Sequence, residues 1–190
     1  MRIAARVIAV AAATLLSGCV TPPRDVVEYL DEETAASITA VQAPLVFARP
    51  QPHASANSRD YATMVAASVN RSGKYEYLLL VYVWSTLDPR TEDNINVDDD
   101  KLLLFADDRE IKLEKDQRSS QEAGIARPLY VPAGTRSPPR VYPTDLDTLR
   151  FISRAQRMRM QLGDNNIELF EIWSDAGRAD LERFTRIASE

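Results

Sequence analysis

YATMVAASVN (residues 61–70) and KYEYLLLVYVWSTL (residues 74–87) are the two stretches that decide the fold. Both are rich in the β-branched and aromatic residues that pack well on a pleated sheet. The link between them, Asn70-Arg71-Ser72-Gly73, contains an asparagine and a glycine, which readily adopt the positive φ of a tight turn. The pattern predicts a β-hairpin.

The second strand of this hairpin is apolar on both faces, which is typical of the middle of a packed sheet. One face carries Tyr77, Leu79, Val81 and Val83, and the other carries Leu78, Leu80, Tyr82 and Trp84. Four aromatic residues of the stretch also suit a ligand-binding stripe: Tyr75, Tyr77, Tyr82 and Trp84. Packing in the core is the favoured interpretation, because strands in general prefer aromatic residues.

Shorter β signals lie on both sides of this hairpin. Alternation over residues 34–40 and an apolar run at 45–48 predict two strands before it. A second hairpin is predicted from KLLLFA (residues 101–106) and EIKLEK (residues 110–115), and a third from residues 158–161 and 167–173. The proline-containing stretch 115–143 is predicted to be irregular, with one short strand at 128–131.

Two short helices are expected late in the chain. Thr144 is the predicted N-cap of a helix that ends near Ala155, and Asp145 and Asp147 in its first turn suit the helix dipole. Residues 177–188 carry apolar side chains at spacings of three, which predicts a closing amphipathic helix. The expected fold class is therefore mainly β. The favoured architecture is an antiparallel β-sandwich, with an immunoglobulin-like sandwich as one form of it, and two short helices near the C-terminus. The alternative is a half-open β-barrel with helical additions.

The first residues of the chain have the pattern of a secretory signal peptide. Arg2 and Arg6 precede an apolar run over residues 7–16, which ends in small residues and is too short to span a bilayer. At its end, Leu16-Ser17-Gly18-Cys19 resembles the lipobox of bacterial lipoproteins. An ordinary cleaved signal with a chance cysteine, or a buried thiol at Cys19, is the plainer alternative.

The lipobox resemblance implies a lipid anchor. In that family Leu16, Ser17 and Gly18 are recognised by the signal peptidase, and Cys19 receives a diacylglycerol and usually a third acyl chain such as palmitate. Two or three chains hold a domain durably on a membrane. Val20 follows the cysteine in place of aspartate, which in the family's sorting rule implies the outer membrane, facing the periplasm. The domain organisation expected is a signal peptide at 1–18, a lipidated tether at 19–33 and one globular domain at 34–190.

Composition excludes several classes of function. Removing residues 1–18, which hold two arginines and no acid, changes the formal charge from −5 to −7, so nucleic-acid binding is not expected. His53 is the single histidine and Cys19 the single cysteine, which excludes a histidine-dependent triad and a zinc site. No glycine-rich phosphate loop occurs. No catalytic residue, metal or cofactor is predicted, and the alternating side-chain oxygens of Asn94, Asn96, Asp98 and Asp100 resemble a calcium loop only weakly.

Charge is segregated along the chain. Residues 88–110 hold nine acidic and three basic residues, whereas residues 118–160 hold eight arginines and three acids. The two segments either lie together and cancel, or part of the second forms an exposed anion-facing or partner-facing patch, for which the candidates are Arg127, Arg136, Arg140, Arg154, Arg157 and Arg159.

Three functions are compatible with these observations. The leading hypothesis is a non-enzymatic interaction or assembly module, anchored to the membrane through lipid on Cys19, that binds an envelope protein or glycan. The alternatives are a carrier of a small apolar ligand or glycan in a cavity between sheets and, third, a carboxylate-based hydrolase.

Overall fold

The computed structural model describes residues 25–51, 58–86, 101–132, 138–163 and 169–189. In these ranges ten strands form one antiparallel sheet. The strands are β1 Val26–Asp31, β2 Ala36–Val41, β3 Leu45–Pro50, β4 Arg59–Arg71, β5 Lys74–Ser85, β6 Lys101–Ala106, β7 Arg109–Glu114, β8 Arg140–Thr144, β9 Met158–Leu162 and β10 Phe170–Ser174. The helices are α1 Leu146–Arg154 and α2 Arg178–Ile187. The predicted class, mainly β and antiparallel with two short helices near the C-terminus, is confirmed.

The hairpin of β4 and β5 is the centre of the sheet. The two strands pair along their full length, and the turn consists of Ser72 and Gly73 with φ values of 53° and 82°. The side chain of Asn70 accepts a hydrogen bond from the Gly73 N–H at 2.8 Å. Two consecutive positive φ angles match the twist of the strands that they join. The predicted hairpin is therefore confirmed, with a turn of two residues.

The remaining strands extend the sheet on both sides of this hairpin. The free edge of β5 pairs with β8, and the free edge of β4 is shared by β2 and β3. β1 pairs with β2, while β3 leads through β10, β9 and β6 to β7. The four residues Leu78 to Val81 of β5 are at most 1% exposed. The prediction of a strand covered on both faces is confirmed.

The inner face of the sheet is the face on which α2 packs. Leu181 of α2 and Leu79 of β5 line the same small cavity, and the Tyr77 hydroxyl donates a hydrogen bond to the Ala188 carbonyl at 3.2 Å. Gly177, at the start of α2, lies against the backbone of the β2–β3 connection. The helix therefore closes the core from one side.

The outer face, opposite α2, is partly covered by residues 115–132. Thr34 donates a hydrogen bond to the Gly124 carbonyl at 2.7 Å, and the ring of Tyr130 lies edge-on against Tyr82, with centroids 5.6 Å apart. Ala123 and Ile125 are buried beneath this cover. Residues 115–132 are irregular, as predicted. The prediction of a strand at 128–131 is wrong, and the next strand along the chain is β8, which begins at Arg140.

Two boundaries differ from the predictions. β1 lies inside the range assigned to the tether, so the described fold begins by Val26 and not at Thr34. The N-cap of α1 is Asp145, whose carboxylate accepts the Thr148 N–H at 2.7 Å, whereas Thr144 belongs to β8. A carboxylate is the better acceptor at this position, because its charge also suits the helix dipole.

Asp31 attaches the outer cover to β1. Its two carboxylate oxygens accept backbone N–H groups from Glu33 and Thr34 on one side, and from Ala126 and Arg127 on the other, at 2.9–3.3 Å. Burial raises the pKa of Asp31, but these four hydrogen bonds outweigh it and hold the pKa below the ordinary value of 3.8. The ionised carboxylate is therefore the form that stabilises the fold.

We expect Asp31→Asn to lower the free energy of unfolding at pH 7 by about 1–3 kcal/mol, because one carboxylate oxygen becomes an amide N–H facing other donors. In the wild type this contribution is present above the unfolded-state pKa and is lost as the pH falls below 3.8 towards the lower folded-state pKa. Urea unfolding at pH 7 and at lower pH measures both effects. Asp108→Asn is the control, since that side chain is 98% exposed; equal stability of the two variants contradicts the role of Asp31.

Candidate functional site on the outer face

Strand register brings six side chains together in one row on the outer face. Cross-strand pairs link β6, β9, β10, β3, β4 and β5 in that order, and the row consists of Phe105, Arg159, Glu171, Ala48, Tyr61 and Trp84. Directly paired residues project to the same face of a sheet. Strands lie about 4.8 Å apart, so this outer-face row is about 24 Å long.

One end of the row is an aromatic corner formed by Arg59, Tyr61, Trp84 and Trp173. The rings of Tyr61 and Trp84 are stacked, with centroids 4.2 Å apart and 12° between their planes. Trp173 meets Tyr61 edge-on at 6.1 Å, and the Arg59 guanidinium lies 4.7 Å from the centroid of Trp173. Trp173 is 56% exposed. The corner therefore presents aromatic surface and a cation to solvent.

Hydrogen bonds hold this corner in one arrangement. The Trp84 indole N–H donates to the Thr63 hydroxyl at 3.1 Å. The backbone of Arg59 is bonded to Thr86 in both directions, since its N–H donates to the hydroxyl at 3.0 Å and its carbonyl accepts the Thr86 N–H at 3.1 Å. Side chains that are already fixed lose little entropy when a partner binds.

The other end of the row borders a cleft of about 540 Å³ that Arg157 and Arg159 line. The Arg159 guanidinium lies 5.7 Å from the centroid of Phe105. The Asp107 carboxylate accepts the backbone N–H groups of Gln156 and Arg157 at 3.0 and 2.9 Å. Asp107 therefore fixes the turn before β9. Its carboxylate does not pair with Arg159, which forms no ion pair with a described residue.

The structure divides the arginines predicted as one patch. Arg157 and Arg159 share the cleft, and Arg154 is exposed at the end of α1. Arg127 is exposed beside β1 and lines a separate cleft of about 340 Å³. Arg140 is half-buried on the inner face opposite Val81, and its Nη1 is buried with no hydrogen-bond partner among the described residues. Because Arg140 and Arg159 are on opposite faces, these residues do not form one surface.

The acidic segment 88–110 and the basic segment 118–160 meet at one ion pair among the described residues of both, between Asp108 and Arg157. Arg157 lies 3.5 Å from Asp108, but the two side chains are 79% and 98% exposed, so the pair contributes little. Several predicted features lie outside the described residues: Leu16, Ser17, Gly18, Cys19, His53, Arg136 and the acidic loop at 88–100.

Of the aromatic stripe considered in β5, only Trp84 belongs to the outer-face row. Tyr82 is buried, and burial raises its pKa to about 12. Tyr75 is 63% exposed at the opposite end of the strand, on the inner-face side. The interpretation as core packing therefore holds for Tyr82. The sequence did not indicate Arg59, Tyr61 and Trp173 as partners of Trp84, because they lie on β4 and β10 and not on β5.

Within the described residues, no group of three or more histidine, cysteine, aspartate or glutamate side chains is placed to hold a metal ion. Neither helix in the described ranges has the length and apolar character required to cross a bilayer. Comparison of the chain with protein-family models, with curated proteins and with solved structures finds no match.

Proposed function

We propose that this protein is a lipid-anchored lipoprotein of the bacterial envelope, held at the outer membrane and facing the periplasm, whose domain binds another envelope component without catalysing a reaction. The observation that carries the binding function is the aromatic corner, in which an exposed tryptophan meets a tyrosine edge-on and has an arginine guanidinium over its ring. Tryptophan, tyrosine and arginine are the residues most enriched at the energetic centres of protein interfaces.

The location of the corner supports this proposal. Residues 115–132 cover the outer face over much of β4 and β5, but Trp173 stays 56% exposed. Next to the corner, Arg159 and Glu171 extend the exposed surface across β9 and β10. An aromatic group with a polar border has the composition of a docking surface, in which the centre is desolvated and the rim remains wet.

For the finer fold, we infer that the sheet curves around its inner face as a half-open barrel and not as an immunoglobulin-like sandwich. The Asp116 N–H, just after β7, donates a hydrogen bond to the Val141 carbonyl of β8 at 2.7 Å. This bond connects the two ends of the strand order that passes from β8 through β5, β4, β3, β10, β9 and β6 to β7. A single layer with α2 on its inner face accounts for the buried core.

The other two functions have less support. The cavity that Leu79 and Leu181 line has a volume of about 10 Å³, enough for roughly one water molecule and too small for a carried ligand. The buried carboxylate of Asp60 pairs with Arg49 at 3.0 Å, and that of Asp31 holds backbone N–H groups. These acids have structural partners, which favours the interaction module over a hydrolase.

Cys19→Ala is expected to block lipidation and release or mislocalise the protein. Without the thiol no thioether to diacylglycerol forms, and the domain loses the acyl chains that contribute about 0.8 kcal/mol per buried methylene. Membrane fractionation and mass spectrometry of the mature N-terminus measure the effect. Ser17→Ala, which keeps a small residue in the lipobox, is the control. An unmodified thiol on Cys19 in the wild type contradicts the anchor.

The binding surface is tested by photo-crosslinking in native envelopes. A photoreactive residue at exposed Thr86, beside the aromatic corner, is expected to capture a partner that the same residue at exposed Val131 does not. Trp173→Ala, on a folded protein, is expected to abolish that product because the interface loses its central ring. A product that persists in Trp173→Ala, or that also forms from Val131, contradicts the proposed surface.

A further inference from the structure

We propose that the partner bound by the outer-face row is an acidic protein segment, whose carboxylates are received by Arg59 and Arg159. The inference rests on the proposed binding function and names the class of partner.

Both arginines place the guanidinium over an aromatic ring. Arg59 lies over Trp173 and Arg159 over Phe105, at 4.7 and 5.7 Å from the ring centroids. A guanidinium is planar and carries its five N–H donors in that plane. A cation–π contact takes none of these N–H donors as a hydrogen-bond donor to an oxygen, so a carboxylate can still bind the guanidinium in bidentate geometry.

The core of the same protein shows this unit with its carboxylate in place. Arg49 lies 4.8 Å from the centroid of Phe170, and its Nε–H donates to Asp60 at 3.0 Å. Arg59 and Arg159 likewise lie over an aromatic ring, but neither forms an ion pair with a carboxylate of a described residue. Within the described residues, the arginine–aromatic unit is thus completed in the core, and two such units on the outer face have no acid.

The position of Glu171 sets a further requirement. It is the cross-strand neighbour of Arg159, is exposed, and forms no ion pair with a described residue. A partner with a continuous acidic surface would meet repulsion from this carboxylate. The site therefore suits separate carboxylates with a neutral or basic residue between them.

The spacing indicates which carboxylates would fit. Three strand separations, about 14 Å, lie between Arg159 on β9 and Tyr61 on β4. Arg59 lies two residues from Tyr61 along β4, so the backbones of the two arginines are about 16 Å apart. An extended chain advances about 3.3 Å per residue, so two carboxylates four residues apart are separated by about 13 Å on the same side, and the long arginine side chains span the difference. Small Ala48 lies between them in the row, below the middle of such a segment.

Tryptophan fluorescence offers a direct test, because the chain has two tryptophans and both are in the aromatic corner. The probe is a blocked pentapeptide with glutamate at both ends and leucine, serine and leucine between them. We expect saturable binding that is at least about tenfold weaker for the peptide with glutamine at both ends, since each charge-assisted pair is lost. Arg59→Gln and Arg159→Gln should each weaken binding by about tenfold, whereas exposed Arg154→Gln should not.

The inference is overturned if the glutamine peptide binds equally well, or if the double variant of Arg59 and Arg159 binds the acidic peptide like wild type. It is also overturned if the peptide fails and vesicles containing phosphatidylglycerol, or a soluble oligomer of N-acetylglucosamine, alter the fluorescence instead. Loss of the native crosslink in Trp173→Ala without binding of the acidic peptide leaves the proposed function in place and removes only the acidic partner.

Discussion

Leu79→Asp is expected to leave the domain unfolded at neutral pH. Leu79 is fully buried in β5, with Ala66 on one side and Tyr142 on the other as its cross-strand neighbours. Above it, Leu181 of α2 closes the inner face. None of these side chains offers an ion-pair partner to a carboxylate, so the group must be buried unpaired or force the strand out of the sheet.

The size of the effect follows from the small stability of domains. Unpaired buried charges are among the few substitutions that cost more than about 4–5 kcal/mol, and an ordinary domain has about 5–15 kcal/mol in total. Circular dichroism and thermal melting measure the loss. Tyr75→Asp is the matched control, because it lies on the same strand and the same face but is 63% exposed. A cooperative, wild-type-like melt of Leu79→Asp would remove β5 from the centre of the core.

Val81→Asp, two residues further along the same face, should be less damaging. Val81 is as deeply buried, but its cross-strand neighbour on β8 is Arg140, whose Nη1 is buried without a hydrogen-bond partner among the described residues. A carboxylate at position 81 can pair with that guanidinium and recover part of the desolvation cost. Adding Arg140→Ala to Val81→Asp should therefore cost more than the two single changes combined.

Local patterns predicted much of the sheet. The hairpin of β4 and β5 was accessible because its turn and its apolar strands are contiguous in sequence, and the same is true of the hairpin of β6 and β7. β8 was missed because prolines surround it and Pro143 lies within it. Pro143 is tolerated since β8 pairs only with β5 in the described chain, and a proline fits the edge of a sheet.

β1 was missed for a different reason. Its sequence, VVEYLD, mixes apolar and charged residues, and the adjacent prolines suggested a tether. β1 pairs with β2, the next strand in the chain. It is also stabilised by partners that are remote in sequence, because the carboxylate of Asp31 accepts the backbone N–H groups of Ala126 and Arg127. Such long-range contacts leave no periodic signal in the strand itself.

The candidate site was the least predictable part, because it exists only through register. Tyr61, Trp84 and Trp173 come from β4, β5 and β10, and the chain separates the last two by 89 positions. A bulge between Ile172 and Ser174 accompanies the position of Trp173. Charge segregation made Arg159 a candidate, whereas Arg59 lies outside the arginine-rich segment and has no local signal.

Gly177→Ala is expected to destabilise the domain strongly through steric overlap alone. A Cβ at this position would lie 2.1 Å from the Ala43 carbonyl oxygen and 2.7 Å from the Pro44 carbonyl carbon. These are backbone atoms at the β2–β3 connection and cannot rotate away as a side chain would. The φ of Gly177 is −78°, which alanine adopts without strain, so the backbone angle adds no penalty.

Relief of this overlap requires the start of α2 to move away from the sheet. That movement would break the hydrogen bond from the Ala43 N–H to the Asp180 carboxylate, at 2.9 Å, and loosen Leu181 from the core. Forced repacking of this kind costs about 1–3 kcal/mol and sometimes more, in addition to the lost hydrogen bond of about 1 kcal/mol. Urea unfolding measures the total.

Gly73→Ala separates steric overlap from the general effect of replacing a glycine. Gly73 has open space around its Cα but a φ of 82°, so alanine there meets only left-handed strain of about 1–2 kcal/mol. Gly177→Ala should exceed that loss and should also reduce the protection of α2 amides from hydrogen exchange, because the helix no longer rests on the sheet. If Gly177→Ala is instead the milder substitution and leaves that protection unchanged, then α2 does not pack against the β2–β3 connection as closely as the structure has it.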